Sequence, residues 1–461
     1  MAVSFTPDPT FFPSPRLAAQ APPEALAYVA GFNRVQQRPD FIAVVDVNPD
    51  SATYSQVVGR VDLPYVGDEL HHFGWNACSS ALCPYARPHL ERRYLIVPGL
   101  RSSRIYVIDT KPDPRRPSLA KVIEGAEVTR RSGYTRLHTV HCGPDALYIS
   151  ALGNAEGGGP GGVLLLDHDT FEVLGRWEVD RGPQHFAYDF FWHLAQDVAV
   201  SSEWGTPDMI EGGLRLDDLL NKRFGHRIHF WDLRRRRHVA ALDLGEENQM
   251  VLELRPAHDP TKLYGFVNVT VNLNNLSSGV WVWYRENGAW RIQRVIEIPA
   301  VPADASTLPP ALKDVGVVPP LVTDIDLSVD DRFLYVSCWG TGELHQYDVT
   351  DPFKPQLTGV VKLGGILHRA AHPNGTPLNG APQMVEVSRD GKRVYVTNSL
   401  YGSWDDQFYP EGIRGWLAKL NADPQGGLRV DPEFLVDFGE ERVHQVRLQG
   451  GDASSDSYCY P

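Results

Sequence analysis

One unit recurs along this chain: a short strand, a tight turn, a strongly apolar strand, a second turn, and a strand ending near Asp. This repetition constrains the fold more than any other feature, because a unit of that kind cannot bury its faces alone and must stack on its neighbours. The clearest copy is TDIDLS-VDD-RFLYVSCW-GTG-ELHQYDV-TDPFKP-QLTGVVKL, from Thr323 to Leu363. Others are QMVEVS-RDG-KRVYVTNSL from Gln383, TRLHTVHC-GPD-ALYISAL with GGVLLLDHDTFEVLGRWEV, and HFAYDFFWH-LAQD-VAVSSEW with HRIHFWDL and HVAALDL. RYLIVPGL-RSS-RIYVIDT and the set KLYGFVNV, GVWVWYRENG and AWRIQRVIEI complete the series. Alternation in RIYVIDT and ELHQYDV has the period of two of a strand, and the Val/Ile/Tyr-rich stretches mark strands covered on both faces. With about seven copies spaced roughly 50–70 residues apart, the expected fold is all-β: a seven-bladed β-propeller with loop insertions.

Closure is expected to join the two ends of the chain. The strand 41–47 (FIAVVDV) has no inner strand before it, and VHQVRLQGGDASSD, within 440–461, has no complete blade after it. Sharing one blade would pair edges that otherwise invite aggregation. Residues 1–461 are then a single propeller domain, with 1–30 as an N-terminal extension. Three segments depart from the repeat: a short amphipathic helix within Glu211 to Arg223, a Pro-rich crossing from Pro299 to Pro320, and a long loop from Gly364 to Pro382. Such loops often form the lip of a site.

Composition narrows the function classes. A net charge of −13 argues against a nucleic-acid partner. The one basic run, Arg234 to Arg237, reads as a solvated hairpin tip. No apolar run approaches the ~18 residues of a membrane helix. Five scattered cysteines, Cys78, Cys83, Cys142, Cys338 and Cys459, do not read as a disulfide framework, so free thiols and a reducing compartment are expected. The N-terminus lacks the basic and apolar regions of a secretory signal, which points to the cytoplasm, with a periplasmic location open if a signal was removed. GGGPGG at Gly157 to Gly162 lacks the Lys-Ser/Thr of a phosphate loop.

Alignment of the repeats on the turn after each inner strand brings histidines into register. His138 begins LHTVHC, His185 opens HFAYDF, His444 opens HQVRL, and His71 and His72 stand at HHFGWN. Thr323–Asp324 and Gln383 occupy the comparable region elsewhere. The starts of inner strands converge at one mouth of a propeller's channel. Neutral imidazoles with few carboxylates favour copper or zinc over magnesium or calcium. Separate hydrogen-bonded channel histidines are the alternative. Adjacent His71 and His72 would point to opposite faces of a regular strand, and His138 and His141 have the same difficulty. The Asp68–Glu69 pair can orient an imidazole. Glu203 and Asp324 are channel carboxylates and candidate catalytic groups, each with a structural reading beside it. Trp204, Trp339 and Trp404 follow equivalent strands, as blade-packing aromatics do.

DELHHFGWNACSS, from Asp68, resembles a signature of the selenium-binding protein family, which includes methanethiol oxidases. The likeness continues through SSRIYVIDT, LHTVHC, YDFFWH, SSEWGTP, DDRFLYVSCWGTGELHQYDVTDP, APQMVEVSRDGKRVYVTNSLYGSWDDQFYPEG and GGDASSD, in order, over nearly the whole chain. The resemblance implies a seven-bladed propeller and, in the bacterial branch, copper-dependent oxidation of methanethiol by O2 and water to formaldehyde, hydrogen sulfide and hydrogen peroxide. By motif it implies His71, His72, His138, His141 and His444 as the metal set; His185 rests on the repeat alignment alone. Two departures weaken a selenium-carrier reading: Ser55 stands where animal members carry Cys, and their CSSC is CSSALC, which displaces the second thiol to Cys83. A small thiol and O2 are thus the expected partners. A non-catalytic selenium or copper carrier and an interaction scaffold are the alternatives.

Overall fold

The computed structural model describes residues 6–367 and 370–461, so two positions of the 364–382 loop lie outside it. Among the described residues, seven four-stranded antiparallel sheets form the blades of a β-propeller. The inner strands, in chain order, are Gly74–Trp75, Tyr134–Cys142, Phe190–His193, Asn248–Pro256, Val322–Leu327, Val385–Val387 and Arg442–Leu448. Burial follows radius. The inner strand Val322–Leu327 is buried at every position, while the outer strand Arg237–Asp243 of another blade alternates between exposed and half-buried. An inner strand has blades on both sides, whereas an outer strand wets one face. Turns between the first two strands of several blades use a left-handed residue, Asp197, Asp331 or Gly391, which Asp and Gly tolerate.

The chain ends share the first blade, with a strand that the sequence reading assigned to the N-terminal extension. Leu26–Phe32 pairs with the inner strand Arg442–Leu448 on one side and with Phe41–Asp46 on the other. Its sequence, LAYVAGF, is buried throughout and short of polar alternation, which hid it. The inner strand Asn248–Pro256 was also missed, although it carries polar residues, because it is buried throughout.

The insertions differ in detail from expectation. Within 211–223 only Leu216–Leu220 is helical, a single turn rather than an amphipathic helix. The Pro-rich crossing folds into two 3-10 turns and a small ribbon, Val301–Pro302 with Val317–Val318. A helix over Gly402–Phe408 was not anticipated. The basic run is the expected hairpin tip, paired in part with Asp197 and Asp232.

Free thiols throughout were expected, and that is corrected: Cys83 and Cys459, 376 residues apart, form a disulfide. Ring closure brings the C-terminal tail to the loop after the turn Ser79–Leu82, a proximity no local spacing encodes. Cys78, Cys142 and Cys338 are free and buried. No helix among the described residues is long and apolar enough to cross a membrane.

Candidate functional site: a histidine layer in the propeller channel

Four histidines from three inner-strand regions meet in the channel. His71 and His72 precede Gly74–Trp75, His138 lies in Tyr134–Cys142, and His444 in Arg442–Leu448. The rings of His71 and His444 stack at 4.3 Å, and those of His72 and His138 approach to 4.0 Å. Cross-contacts at 5.3 Å (His72–His444) and 6.2 Å (His71–His138) close the set. The neighbouring pair reaches one layer because the chain bends before it. Glu69 is left-handed, at φ 53°, and residues 71–73 are not extended in the sheet.

All four rings are buried, and each keeps a nitrogen without a hydrogen-bond partner: Nδ1 of His71 and Nε2 of His72, His138 and His444. The opposite nitrogen of each is held. Ser399 O lies 2.7 Å from Nδ1 of His444, Thr139 Oγ1 3.2 Å from Nδ1 of His138, and Glu69 Oε1 3.3 Å from Nε2 of His71. The carbonyl and the carboxylate can only accept, so they place the proton on that side and leave the orphan nitrogens of His444 and His71 with free lone pairs. His72 differs. The Gln445 amide, oriented by Phe73 N–H donating to its Oε1, presents Nε2 to His72 Nδ1 at 3.5 Å, which favours a proton on His72 Nε2. That proton faces Glu253, whose Oε1 is 3.9 Å away and otherwise unpartnered.

Electrostatics favours the neutral form of three of the imidazoles. Burial holds His72, His138 and His444 well below the ordinary histidine range, and the neighbouring histidines push the same way. Burial alone would raise Glu69; its contacts with His71 and Arg101 win and hold it down to about 2. Burial, reinforced by Asp189, pushes Glu253 up to about 8, so this carboxyl keeps its proton at neutral pH. Asp68, the other half of the predicted orienting pair, instead accepts from Tyr106 Oη at 2.6 Å.

Aromatic rings seal the layer from the insertion-bearing face. Tyr401 lies 4.0 Å from His71 and Tyr188 4.5 Å from His138, both centroid to centroid. Trp204 packs on both tyrosines and on Trp404. The three tryptophans read as blade packing thus belong to an apolar cluster over the channel mouth. A polar cleft of about 230 Å3, lined by Glu69, Arg101, Gly402 and Ser403, reaches the carboxylate that holds His71. Gly402 N–H donates to Glu69 at 2.9 Å.

The other candidates lie elsewhere. His141 sits in a deeper, charged layer, its Nε2 3.7 Å from Asp189 and its ring against Phe191; the bulge between Leu137 and Val140 separates it from His138. His185 is exposed against Phe186, because the inner strand of its blade starts only at Phe190 and Tyr188 takes the channel position. Glu203 is committed to His229 at 2.9 Å, away from the histidine layer. Asp324 is in the channel but in the charged layer, 3.4 Å from Arg255 and accepting from Val385 N–H. Glu253 was missed with its strand; NQMVLELRP, one turn before KLYGFVNV, was the available signal. Ser55 accepts from Leu435 N–H on the outer part of the ring, a structural role.

Among the described residues no group of three or more His, Cys, Asp or Glu side chains stands in an arrangement that could hold a metal ion. The donor set nevertheless suits a transition metal: neutral, buried imidazoles with unpartnered nitrogens and anchored second nitrogens. Leaving several buried nitrogens unpaired costs about 1–3 kcal/mol each. A bound ion or molecule would remove that cost.

Comparison with known proteins fits this architecture. The family described as "56kDa selenium binding protein" matches residues 5–459. The chain belongs to the 56 kDa selenium-binding protein family. Relatives in the family include a methanethiol oxidase of Xenopus tropicalis, 40% identical, and one of Homo sapiens, 39% identical, each alignment covering 96% of this chain and 97% of the relative. Selenium-binding protein 2 of Mus musculus is 39% identical over the same shares. The crystal structure of a hypothetical selenium-binding protein from Sulfolobus tokodaii superposes with a TM-score of 0.97 at 66% identity, covering 98% of this chain and all of that one. A periplasmic gluconolactonase of Pseudomonas aeruginosa, at 13% identity and a TM-score of 0.57, shares the fold alone.

Proposed function

We propose that this protein oxidises methanethiol, or a similarly small thiol, with copper held at the histidine layer. Oxygen and water are consumed, and formaldehyde, hydrogen sulfide and hydrogen peroxide are released. The balance is closed: the thiol carbon loses two electrons and its C–S bond, O2 gains the two electrons as peroxide, and water supplies the formaldehyde oxygen. The names of the 40%-identical relatives support the reaction. The observation that carries the site is the set of four buried imidazoles packed together in the channel, each with a nitrogen that finds no partner.

His71, His138 and His444 would hold the ion, with His72 beside them. Bound copper supplies a soft partner for a thiolate sulfur and a one-electron redox couple. The chain's own groups do the rest. Glu69 and the Ser399 carbonyl fix two imidazoles with lone pairs inward. Tyr188, Tyr401 and Trp204 keep bulk water out, which strengthens every polar interaction inside. The Glu253 carboxyl carries a proton at neutral pH near His72 and can deliver it to a departing sulfur or to peroxide.

Metal analysis of protein produced with copper supplied, wild type beside His72→Ala and His444→Ala, tests the site, and oxygen uptake with methanethiol tests the reaction. Near-stoichiometric copper lost in both variants, with uptake only in wild type, is expected. Copper-loaded wild type that stays inert toward small thiols overturns the enzyme reading and favours a carrier.

A further inference from the structure

The wall between the polar cleft beside Gly402 and the histidine layer is thin. Exposure falls steadily across it: the side chain of Arg34 at the mouth is 45% exposed, Arg101 27%, Glu69 6% and His71 1%. Glu69 lines the cleft of about 230 Å3 and also lies against His71, Oε1 to Nε2 at 3.3 Å. Phe32, at the end of Leu26–Phe32, lines the cleft too, and its ring centroid is 5.8 Å from that of His71. Other sides of the layer are thicker. Tyr188, Tyr401 and Trp204, with Trp404 behind them, close the insertion-bearing face. The ion pairs of Arg255 fill the channel below. At Glu69 the main chain is fixed while the side chain has a way out. The Glu69 carbonyl accepts from Leu100 N–H at 3.3 Å, and that of Asp68 from Arg101 N–H at 2.9 Å. The Glu69 carboxylate is held by Arg101, by Gly402 N–H and by His71. Its left-handed φ of 53° is strained for a glutamate, and such strain gathers at ligand clamps and switch points. The Ser403 hydroxyl on the cleft wall is buried and finds no partner, which leaves a donor for a passing polar molecule.

We propose that this cleft is the entrance to the histidine layer, with the Glu69 side chain as its door and Arg101 as the latch. The inference rests on the reading of that layer as the binding site for an ion and a small thiol. When Glu69 swings from His71 toward solvent, the freed edge of the imidazole faces the cleft, and a molecule the size of methanethiol can pass. Glu69, Glu211 and Asp406 beside the cleft each have an arginine partner, Arg101, Arg136 and Arg34. Their charges therefore do not stand alone against an incoming thiolate. A Cβ at Gly402 would point into the neck, 3.2 Å from Arg34 Cδ and 3.4 Å from both Glu69 Oε1 and Phe32 Cε2. Those are flexible or planar side chains that can give by a few tenths of an ångström, so bulk at 402 narrows the passage without replacing a group that contacts the imidazoles.

Diethyl pyrocarbonate, which acylates unprotonated imidazole nitrogens, probes the entrance in metal-free protein. The rate of labelling at His71 is read by peptide mass spectrometry for wild type, Gly402→Val, Gly402→Ala and Arg101→Ala. Exposed His185 is the internal reference, and Tm checks folding. Relative to His185, Gly402→Val should slow labelling of His71 by about fivefold or more, with Gly402→Ala between it and wild type, because a narrowed neck opposes the local opening. Arg101→Ala, which frees the door, should speed labelling several-fold. Copper-loaded protein should release its ion to a chelator in the same order of rates, with the copper content of the Gly402 variants unchanged. Rates that ignore Gly402 and Arg101 alike, or no labelling of His71 in folded wild type, overturn the entrance. If the valine variant does not fold, the alanine and Arg101 variants carry the test. If the protein takes up no copper and oxidises no thiol, the oxidase reading fails by itself, and the order of labelling rates still decides the entrance.

Discussion

The two halves of the channel are built on opposite principles. In the histidine layer, four imidazoles leave a nitrogen unpaired and all stay buried. In the charged layer beneath, ion pairs dominate. Arg255 meets Asp189, Glu253, Asp324 and Asp326 between 3.2 and 3.5 Å. Arg447 pairs with Glu386, and Ser454 donates to that carboxylate from the C-terminal tail. The tail is itself fastened by Arg92 and Arg389 on Asp456, by the His258 ring at 2.6 Å from Ala453 O, and by the Cys83–Cys459 bridge. Burial pushes Asp189, Asp324, Asp326 and Glu386 upward, against the pull of the arginines. The saturated half fixes the ring; the unsaturated half has capacity left for a ligand.

Mutations can break this contrast. Arg255→Met should hurt most, since it leaves four buried carboxyls without their cation: about 3–5 kcal/mol, read as a large fall in Tm or loss of soluble protein. If Arg255→Met left Tm untouched, the charged layer would not be the fastening we describe. Cys459→Ser should cost about 2–4 kcal/mol in an oxidised sample and nothing in a reduced one, measured by denaturant unfolding with and without reductant.

Glu253 sits on the boundary and sharpens the comparison through pH. Its folded pKa, about 8, lies above the ordinary glutamate value of 4.5, so the folded state binds the extra proton between them. Stability from this group is full below about pH 4.5 and is lost as pH rises toward 8. Glu253→Gln should therefore gain Tm on wild type as pH rises from 5 to 8, by up to a few kcal/mol. Equal pH slopes in the two proteins would contradict the assignment. The histidine layer should show the smallest stability effect. His444→Ala is expected to cost about 1–2 kcal/mol or less, because an unpaired buried nitrogen leaves with the ring, yet to lose copper almost completely. A large Tm drop with copper retained would reverse the roles of the two halves.

Much of this was legible before any coordinates. The seven-copy repeat could be read because each blade needs the same alternation and turn residues. His71, His138 and His444 could be aligned because inner strands begin at one mouth. His185 fell out because its blade starts its inner strand five residues later, at Phe190, a shift in phase invisible without the pairing. His138 and His141 looked equivalent until a bulge sent them to different layers. Leu26–Phe32 was hidden in a run with no polar period, and Glu253 in a strand whose polar residues are buried instead of exposed.

The sequence by itself determined the blades, the register of most channel residues and the family, because these follow from local periodicity and ordered motifs. Tertiary structure alone decided which histidines share a layer, which nitrogens stay unpaired, that Cys83 meets Cys459, and that Phe32, Arg101 and Gly402 meet Glu69 around a polar cleft. Those are contacts between residues hundreds of positions apart, set by ring closure and by which partner each buried polar atom fails to find.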